Sequence, residues 1–141
     1  MAGAVERLAR LVAPSAEDLA ALGARLLAEL PAEIRDLVGM VPIKVEEWPD
    51  EDALLETECE DPLDLTGLYR AVPIGERQAR PLPPEEPEMI FLYRLPILVE
   101  WAERGCPLEE VVMDVLTHEI AHHLGMDEAG ALRVEGRGPT G

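Results

Sequence analysis

The chain has few basic residues. Its 141 residues include 12 Lys plus Arg against 29 Asp plus Glu, which gives a formal net charge of −17 at pH 7. A negative field of this size repels phosphate backbones and anionic lipid surfaces, and it attracts cations, including divalent metals. The composition therefore predicts that neither nucleic acid nor a membrane is a partner of this protein.

Cysteine and long apolar segments are also scarce. Cys59 and Cys106 form no CxxC pair, which favours a reducing compartment over a disulfide-stapled secreted domain. No apolar run approaches the roughly 18 residues that a membrane helix needs. Charged residues between Glu6 and Asp18 interrupt any signal-peptide segment. The sequence predicts a cytoplasmic protein.

The length and the 48% of hydrophobic residues fit one core rather than two. We expect a single domain over residues 1–141. About 13 residues at its N-terminus and about 6 at its C-terminus are expected to be flexible.

Local signals predict helices at both ends of this domain. Ser15 and Asp18 match a capping box, and leucines at helical spacing follow them. These are Leu19, Leu22, Leu26, Leu27 and Leu30. A short helix is expected between Pro31 and Gly39. Two more helices are predicted, one over 95–105 and a longer apolar one that begins at Pro107.

Two segments read as strands, VPIKVEEW (41–48) and MIFLYR (89–94). We expect MIFLYR to be a sheet edge that pairs with an extended substrate. The acidic stretch from Val45 to Asp64 is expected to be a solvated face, and RPLPPEEPE (80–88) a loop. The order of elements predicts an α+β fold, with a small mixed sheet packed against the last helix and an N-terminal helix.

The segment THEIAHHLGMDE (117–128) holds all three histidines. His118 and His122 differ by about 40° around a helix axis and by about 6 Å along it, so both can reach one metal ion. Glu119 is angled away from that ion and can deprotonate a water molecule without becoming a ligand, as in HExxH sites. His123 lies about 140° from His118 and is not expected to be a ligand.

The third ligand is less determined by spacing. In an unbroken helix Glu128 would lie about 9 Å beyond His122, but Gly125 is expected to end the helix and let the chain turn back. Glu128 is therefore favoured as the third ligand, and Asp127 and Glu135 remain alternatives. Two nitrogens and one oxygen, with a position open for water, are typical of catalytic zinc.

Three blocks, GLYRAVPIGER, PEMIFLYRLPIL and HEIAHHLGMDE, lie in this order between residues 41 and 132. They resemble the small bacterial zincin-like metallopeptidases, with the motif HExxHxxGxx[DE]. The resemblance implies a minimal zincin-like fold, a bound Zn2+ and peptidase activity, and His118, Glu119 and His122 carry over directly. The chain departs from metzincins because no methionine-bearing turn is identified after Glu128.

The predicted function is zinc-dependent hydrolysis of peptide bonds in a peptide or protein substrate, with Glu119 as the general base. Four residues are candidates for oxyanion stabilisation or substrate contact: Tyr93, Tyr69, Arg94 and Arg70. The alternative is a non-catalytic zinc-binding or peptide-binding module of the same fold.

Overall fold

The computed structural model describes residues 2–38, 41–70 and 88–124. These ranges contain six α-helices, a short 3-10 helix (Pro62–Asp64) and a small sheet, which confirms the predicted α+β class. The elements are α1 (Ala2–Arg10), α2 (Ala16–Ala28), α3 (Ala32–Val38), β1 (Ile43–Glu46), α4 (Glu51–Thr57), β2 (Gly67–Arg70), β3 (Met89–Tyr93), α5 (Arg94–Arg104) and α6 (Leu108–His123). None of the helices in these ranges is long and apolar enough to cross a membrane.

The capping box predicted for α2 is present. The Ser15 side chain accepts a hydrogen bond from the Asp18 backbone N–H at 3.0 Å, and the Ser15 N–H donates to Asp18 Oδ2 at 2.9 Å. These bonds satisfy donors that a helix N-terminus leaves open. Leu19 and Leu26 are fully buried, so the predicted apolar face of α2 is confirmed.

The sheet has three strands in the order β1-β3-β2. β1 pairs with β3 in parallel, with Ile43 opposite Ile90, and β2 pairs with β3 antiparallel, with Gly67 opposite Leu92. The expectation that MIFLYR forms a sheet edge is wrong, because β3 has a neighbour on each side. In the described part of the chain, β2 is the strand at the edge beside α6.

The two faces of the sheet bury two separate clusters. On one face, Ile90 and Leu92 pack with α2 and α6 in the larger cluster. On the other face, Leu68 and Tyr93 pack with Ala53 of α4 in a smaller one. This alternation follows from the two-residue period of a strand. The core that carries α6 is thus separated by the sheet from the core that carries α4.

Helix α4 lies within the acidic stretch that sequence analysis assigned to a solvated face. Asp50 caps it by accepting from the Ala53 N–H at 2.7 Å. Its acidic residues Glu51, Asp52 and Glu56 are exposed, as expected, but Ala53 is fully buried against the sheet. The stretch therefore has one buried side that its charge pattern did not indicate.

Helix α1 occupies part of the N-terminal segment, and its side chains from Gly3 to Arg10 are exposed. The predicted end of α3 at Gly39, the loop over 80–87 and the turn at Gly125 lie outside the described residues.

Candidate metal centre

Helix α6 presents the histidine pair because its opposite side is strongly apolar. Val111, Val112, Leu116 and Ile120 are fully buried and fix the helix on the sheet. Gly105, in the left-handed conformation at φ 61°, ends α5 and allows the chain to enter α6 after a short turn. The register of the apolar residues therefore determines which side chains face away from the core.

A cavity of about 380 Å³ borders this exposed side of α6. His118, Glu119 and His122 all line it, so the structure brings the predicted motif residues together. Both histidines are exposed, whereas Glu119 is half-buried. Arg104 and Asp114 line the same cavity.

The His118 ring is held in one orientation by the backbone of α6. Its Nδ1 lies 2.8 Å from the carbonyl oxygen of Asp114. A carbonyl can only accept, so Nδ1 carries the proton and Nε2 keeps a free lone pair. Metal-binding histidines are commonly oriented in this way, with one nitrogen bonded to the protein and the other bonded to the ion.

The Glu119 carboxylate is anchored from the neighbouring strand. The Tyr69 backbone N–H donates to Glu119 Oε2 at 3.2 Å. Burial raises the pKa of the Glu119 carboxyl, while the Tyr69 N–H and the imidazoles of His122 and His118 act in the opposite direction. A raised pKa suits a carboxylate that takes up a proton near neutral pH.

Gly67 permits the close approach of β2 to α6. A Cβ at this position would lie 2.5 Å from Val115 Cγ1 and 3.0 Å from the Phe91 carbonyl oxygen. The first distance is too short for a Cβ unless Val115 shifts, and the second is tight, so the strand approaches Glu119 this closely because residue 67 is glycine. The glycine is visible in the sequence, but its role could not be recognised without knowing that α6 packs against β2.

The structure separates the four oxyanion candidates. Tyr69 is on the α6 side of the sheet, where its hydroxyl donates to Glu88 Oε2 at 3.1 Å. Burial, followed by the Glu88 carboxylate, raises the pKa of the Tyr69 phenol. Tyr93 lies in the cluster beneath α4, and burial raises its pKa to about 12.

The two arginine candidates also lie away from the histidine pair. Arg70 is on the α4 side, 3.5 Å from a Glu56 carboxylate oxygen and with its guanidinium 5.1 Å from the centre of the Phe91 ring. Arg94 donates from Nε to the Pro14 carbonyl at 2.7 Å and from Nη1 to Glu47 at 3.0 Å. Neither lines the cavity.

His123 faces away from the cavity, in keeping with its angular position. Its ring stacks on the Tyr69 ring with 4.0 Å between centroids and 9° between planes. This contact links the C-terminal turn of α6 to β2, the strand that anchors Glu119.

Sequence analysis missed Arg104, Asp114 and Glu100 as residues of the cavity. Asp114 precedes His118 by four residues, so extending the helical face by one turn would have found it. Arg104 and Glu100 come from α5, and their position depends on the turn between the two helices. No local pattern in the sequence indicates that position.

The favoured third ligand Glu128 and its alternatives Asp127 and Glu135 lie outside the described residues. Within the described ranges, no group of three or more histidine, cysteine, aspartate or glutamate side chains is placed to hold a metal ion. Helix α6 ends at His123 with Leu124 as its C-cap, so it stops before the acidic pair.

A comparison with curated protein sequences found none that matches this chain. A sequence model of the zincin-like metallopeptidases does match it, over residues 38–136. The matched region includes the whole sheet, α5 and α6, and it covers more than two thirds of the chain. On this match, and with the HExxH residues of α6 around one cavity, the chain belongs to the zincin-like metallopeptidase family.

Proposed function

We propose that this chain is a zinc-dependent peptidase that hydrolyses peptide bonds, with Glu119 as the general base. The observation that carries the proposal is the placement of His118, Glu119 and His122 on the wall of one cavity. Family membership supports a metallopeptidase.

The donor chemistry fits zinc. Two imidazoles one turn apart are a common pair of zinc ligands, and His118 has its Nε2 available. When bound, zinc supplies Lewis acidity that activates a water molecule and polarises the scissile carbonyl. We propose Glu128 as the third ligand, with Asp127 and Glu135 as the alternatives that its substitution tests.

Glu119 performs the proton transfers in this proposal. Its carboxylate takes a proton from the attacking water and later delivers it to the leaving amine. The Tyr69 N–H bonds to Oε2, so we assign the proton transfers to the other carboxylate oxygen, Oε1. Burial favours the protonated form of Glu119 that the second transfer requires.

An extended substrate is proposed to pair with the outer edge of β2. The Tyr93 N–H donates to the Thr66 carbonyl at 2.9 Å, so residue 66 bonds inward to β3. Because antiparallel ladders alternate, Gly67 and Tyr69 direct their backbone groups away from β3. Tyr69 uses its N–H for Glu119, so we propose that the backbone of Gly67, next to the cavity-lining Thr66, bonds the peptide.

We further propose that the protein works in the cytoplasm on peptide or protein substrates, without nucleic-acid or membrane partners. Cys59 and Cys106 are both free thiols, which supports a reducing compartment. The net charge of −17 disfavours binding to polyanions and anionic lipid.

The experiment that tests the function compares the wild type with Glu119→Gln on a broad peptide library in the presence of zinc. We expect cleavage to fall by about 100-fold or more in the variant, because proton transfer is lost, while bound zinc remains. Equal cleavage by both proteins would contradict the proposal. No cleavage by the zinc-loaded wild type would favour a non-catalytic zinc-binding or peptide-binding module.

A second experiment tests the third ligand. Glu128→Gln, Asp127→Asn and Glu135→Gln are compared by zinc titration. We expect Glu128→Gln to weaken zinc binding most, because it replaces an anionic carboxylate ligand by a neutral amide, which is a weaker donor. Unchanged affinity in that variant, with a loss in one of the other two, would transfer the role to that residue.

A further inference from the structure

Apart from the two histidines, Arg104 is the one basic side chain among the described residues that line the cavity. It comes from the last turn of α5 and reaches the same wall of the cavity as Asp114, one turn before His118 on α6. Its side chain is 35% exposed, so part of it is accessible from the cavity.

Two carboxylates fix the position of the guanidinium. Arg104 Nη2 lies 2.8 Å from Asp114 Oδ2, and Nη1 donates to Glu100 Oε2 at 3.3 Å. These contacts use two of the five N–H donors of the group. An arginine held from behind in this way has little conformational entropy left to lose when it binds a planar anion.

The distance from Arg104 to the histidine pair suits a substrate residue near the scissile bond. Asp114, His118 and His122 follow one another at four-residue steps, so the space between the two imidazoles lies about 9 Å along the axis from Asp114. An extended peptide covers that distance in about two or three residues.

We propose that Arg104 binds a carboxylate of the substrate two or three residues from the scissile bond. This inference rests on the proposed peptidase function and adds a substrate class to it. The carboxylate is either the C-terminal one or an aspartate or glutamate side chain. Because the protein carries a net charge of −17, a strongly acidic peptide is repelled as a whole, and a peptide with one well-placed carboxylate is preferred.

The alternative is that Arg104 has a structural role only and holds α5 against α6 through its ion pair with Asp114. If Arg104 only stabilised the fold, its substitution would change the cleavage of every substrate by the same factor. A binding role changes KM for carboxylate-bearing peptides and leaves their neutral counterparts unaffected. The two roles can therefore be distinguished by comparing carboxylate-bearing with neutral substrates, and by comparing Arg104 variants with the wild type.

The first arm of the experiment needs no variant. Wild-type enzyme with zinc is given hexapeptide pairs that differ in a C-terminal carboxylate or amide, and pairs that carry Asp or Asn, or Glu or Gln, at each internal position. We expect kcat/KM to be about 10- to 100-fold higher for one class of carboxylate, mainly through KM. The class that shows the preference identifies the source of the carboxylate.

The second arm uses Arg104→Gln and Arg104→Lys, with Arg25→Gln as the matched control. Arg25 also pairs with two carboxylates, Glu109 and Glu29, but lies on the exposed surface between α2 and α6. We expect Arg104→Gln to abolish the preference, Arg104→Lys to reduce it and Arg25→Gln to keep it. Thermal melting of each variant identifies any loss of folding.

A binding measurement separates failure of this inference from failure of the proposed function. Zinc-loaded Glu119→Gln protein, alone or combined with Arg104→Gln or Arg104→Lys, is titrated calorimetrically with the same peptide pairs. Tighter binding of the carboxylate member that depends on Arg104 supports the inference even if no peptide is cleaved. Equal binding of both members, or a preference that survives both Arg104 variants, overturns it.

Discussion

Tyr69 and Tyr93 lie on adjacent strands of one sheet, yet one faces α6 and the other faces α4. Tyr69 stacks on His123 and belongs to the strand whose backbone holds Glu119. Tyr93 is 3% exposed and packs beneath α4 with Ala53. The face of the sheet towards α6 thus carries the proposed active site, and the face towards α4 has a structural role.

The two faces differ in how closely the sheet approaches the helix that covers it. On the α6 face, a glycine at residue 67 lets β2 approach close enough for a hydrogen bond to Glu119. On the α4 face, a small cluster covers the sheet and contributes no side chain to the cavity. We therefore expect changes on the first face to alter activity and changes on the second to alter stability alone.

The largest effect is expected from Gly67→Ala on the α6 face. The new methyl group would overlap the Val115 side chain and crowd the Phe91 carbonyl, so Val115 or β2 must shift. We expect a loss of about 1–3 kcal/mol in the free energy of unfolding, and loss of peptidase activity with Glu119 displaced. Denaturant unfolding and peptide cleavage measure the two results.

Gly3→Ala is the matched control for that substitution. A Cβ at Gly3 in α1 has no atom within 4 Å, so alanine is accommodated and favours the helix slightly. If both variants kept full activity and wild-type stability, the close contact between β2 and α6 would not matter.

A smaller effect, confined to high pH, is expected from Tyr93→Phe on the α4 face. Burial raises the pKa of Tyr93 from 10.0 to about 12, so the folded state keeps the phenol proton that the unfolded state has already lost. The stabilising contribution is complete below pH 10 and is lost as the pH rises towards 12, by about 2 kcal/mol. Tyr93→Phe should remove that part of the alkaline slope and leave activity at neutral pH intact.

Urea unfolding at a series of pH values between 8 and 12 would measure this slope. Tyr69→Phe is the companion variant, since its phenol also has a raised pKa but lies on the α6 face. Loss of activity at neutral pH in Tyr93→Phe, without loss of stability, would break the distinction between the two faces.

Several of these elements could be predicted because their signals are local. The Ser15–Asp18 box, the apolar stripe of α6 and the HExxH spacing each involve residues a few positions apart. The pairing of β3 with both β1 and β2 joins residues distant in sequence, such as Glu46 with Tyr93, and no local pattern specifies it. The error about the sheet edge has this origin.

Sequence analysis missed the buried side of α4 and the cavity residues that α5 contributes for related reasons. Ala53 is the one fully buried residue of α4, and its acidic neighbours leave too weak an apolar period to indicate a buried side. The cavity position of Arg104 depends on how α5 turns into α6, which the sequence indicates only through Gly105. The site residues on one helix were accessible to sequence reasoning, and those brought in from another helix were not.

The smallest effect is expected from the surface ion pair between α2 and α6. Arg25 Nη2 lies 2.7 Å from Glu109 Oε2, and both side chains are more than half exposed. Screening by solvent limits such pairs to about 0–1 kcal/mol. A double-mutant cycle with Arg25→Gln and Glu109→Gln should give a coupling within this range, with unchanged activity. A coupling of several kcal/mol would show that this edge of the α6 face is more constrained than its exposure indicates.

The zinc content of purified protein, measured by atomic emission after dialysis, tests the central claim most directly. The wild type is compared with His118→Ala, His122→Ala and His123→Ala. We predict bound zinc in the wild type and in His123→Ala, whose ring stacks on Tyr69, and loss of zinc in the other two. Undiminished zinc in His118→Ala or His122→Ala, or loss in His123→Ala with its fold intact, would contradict the assignment of the imidazole pair.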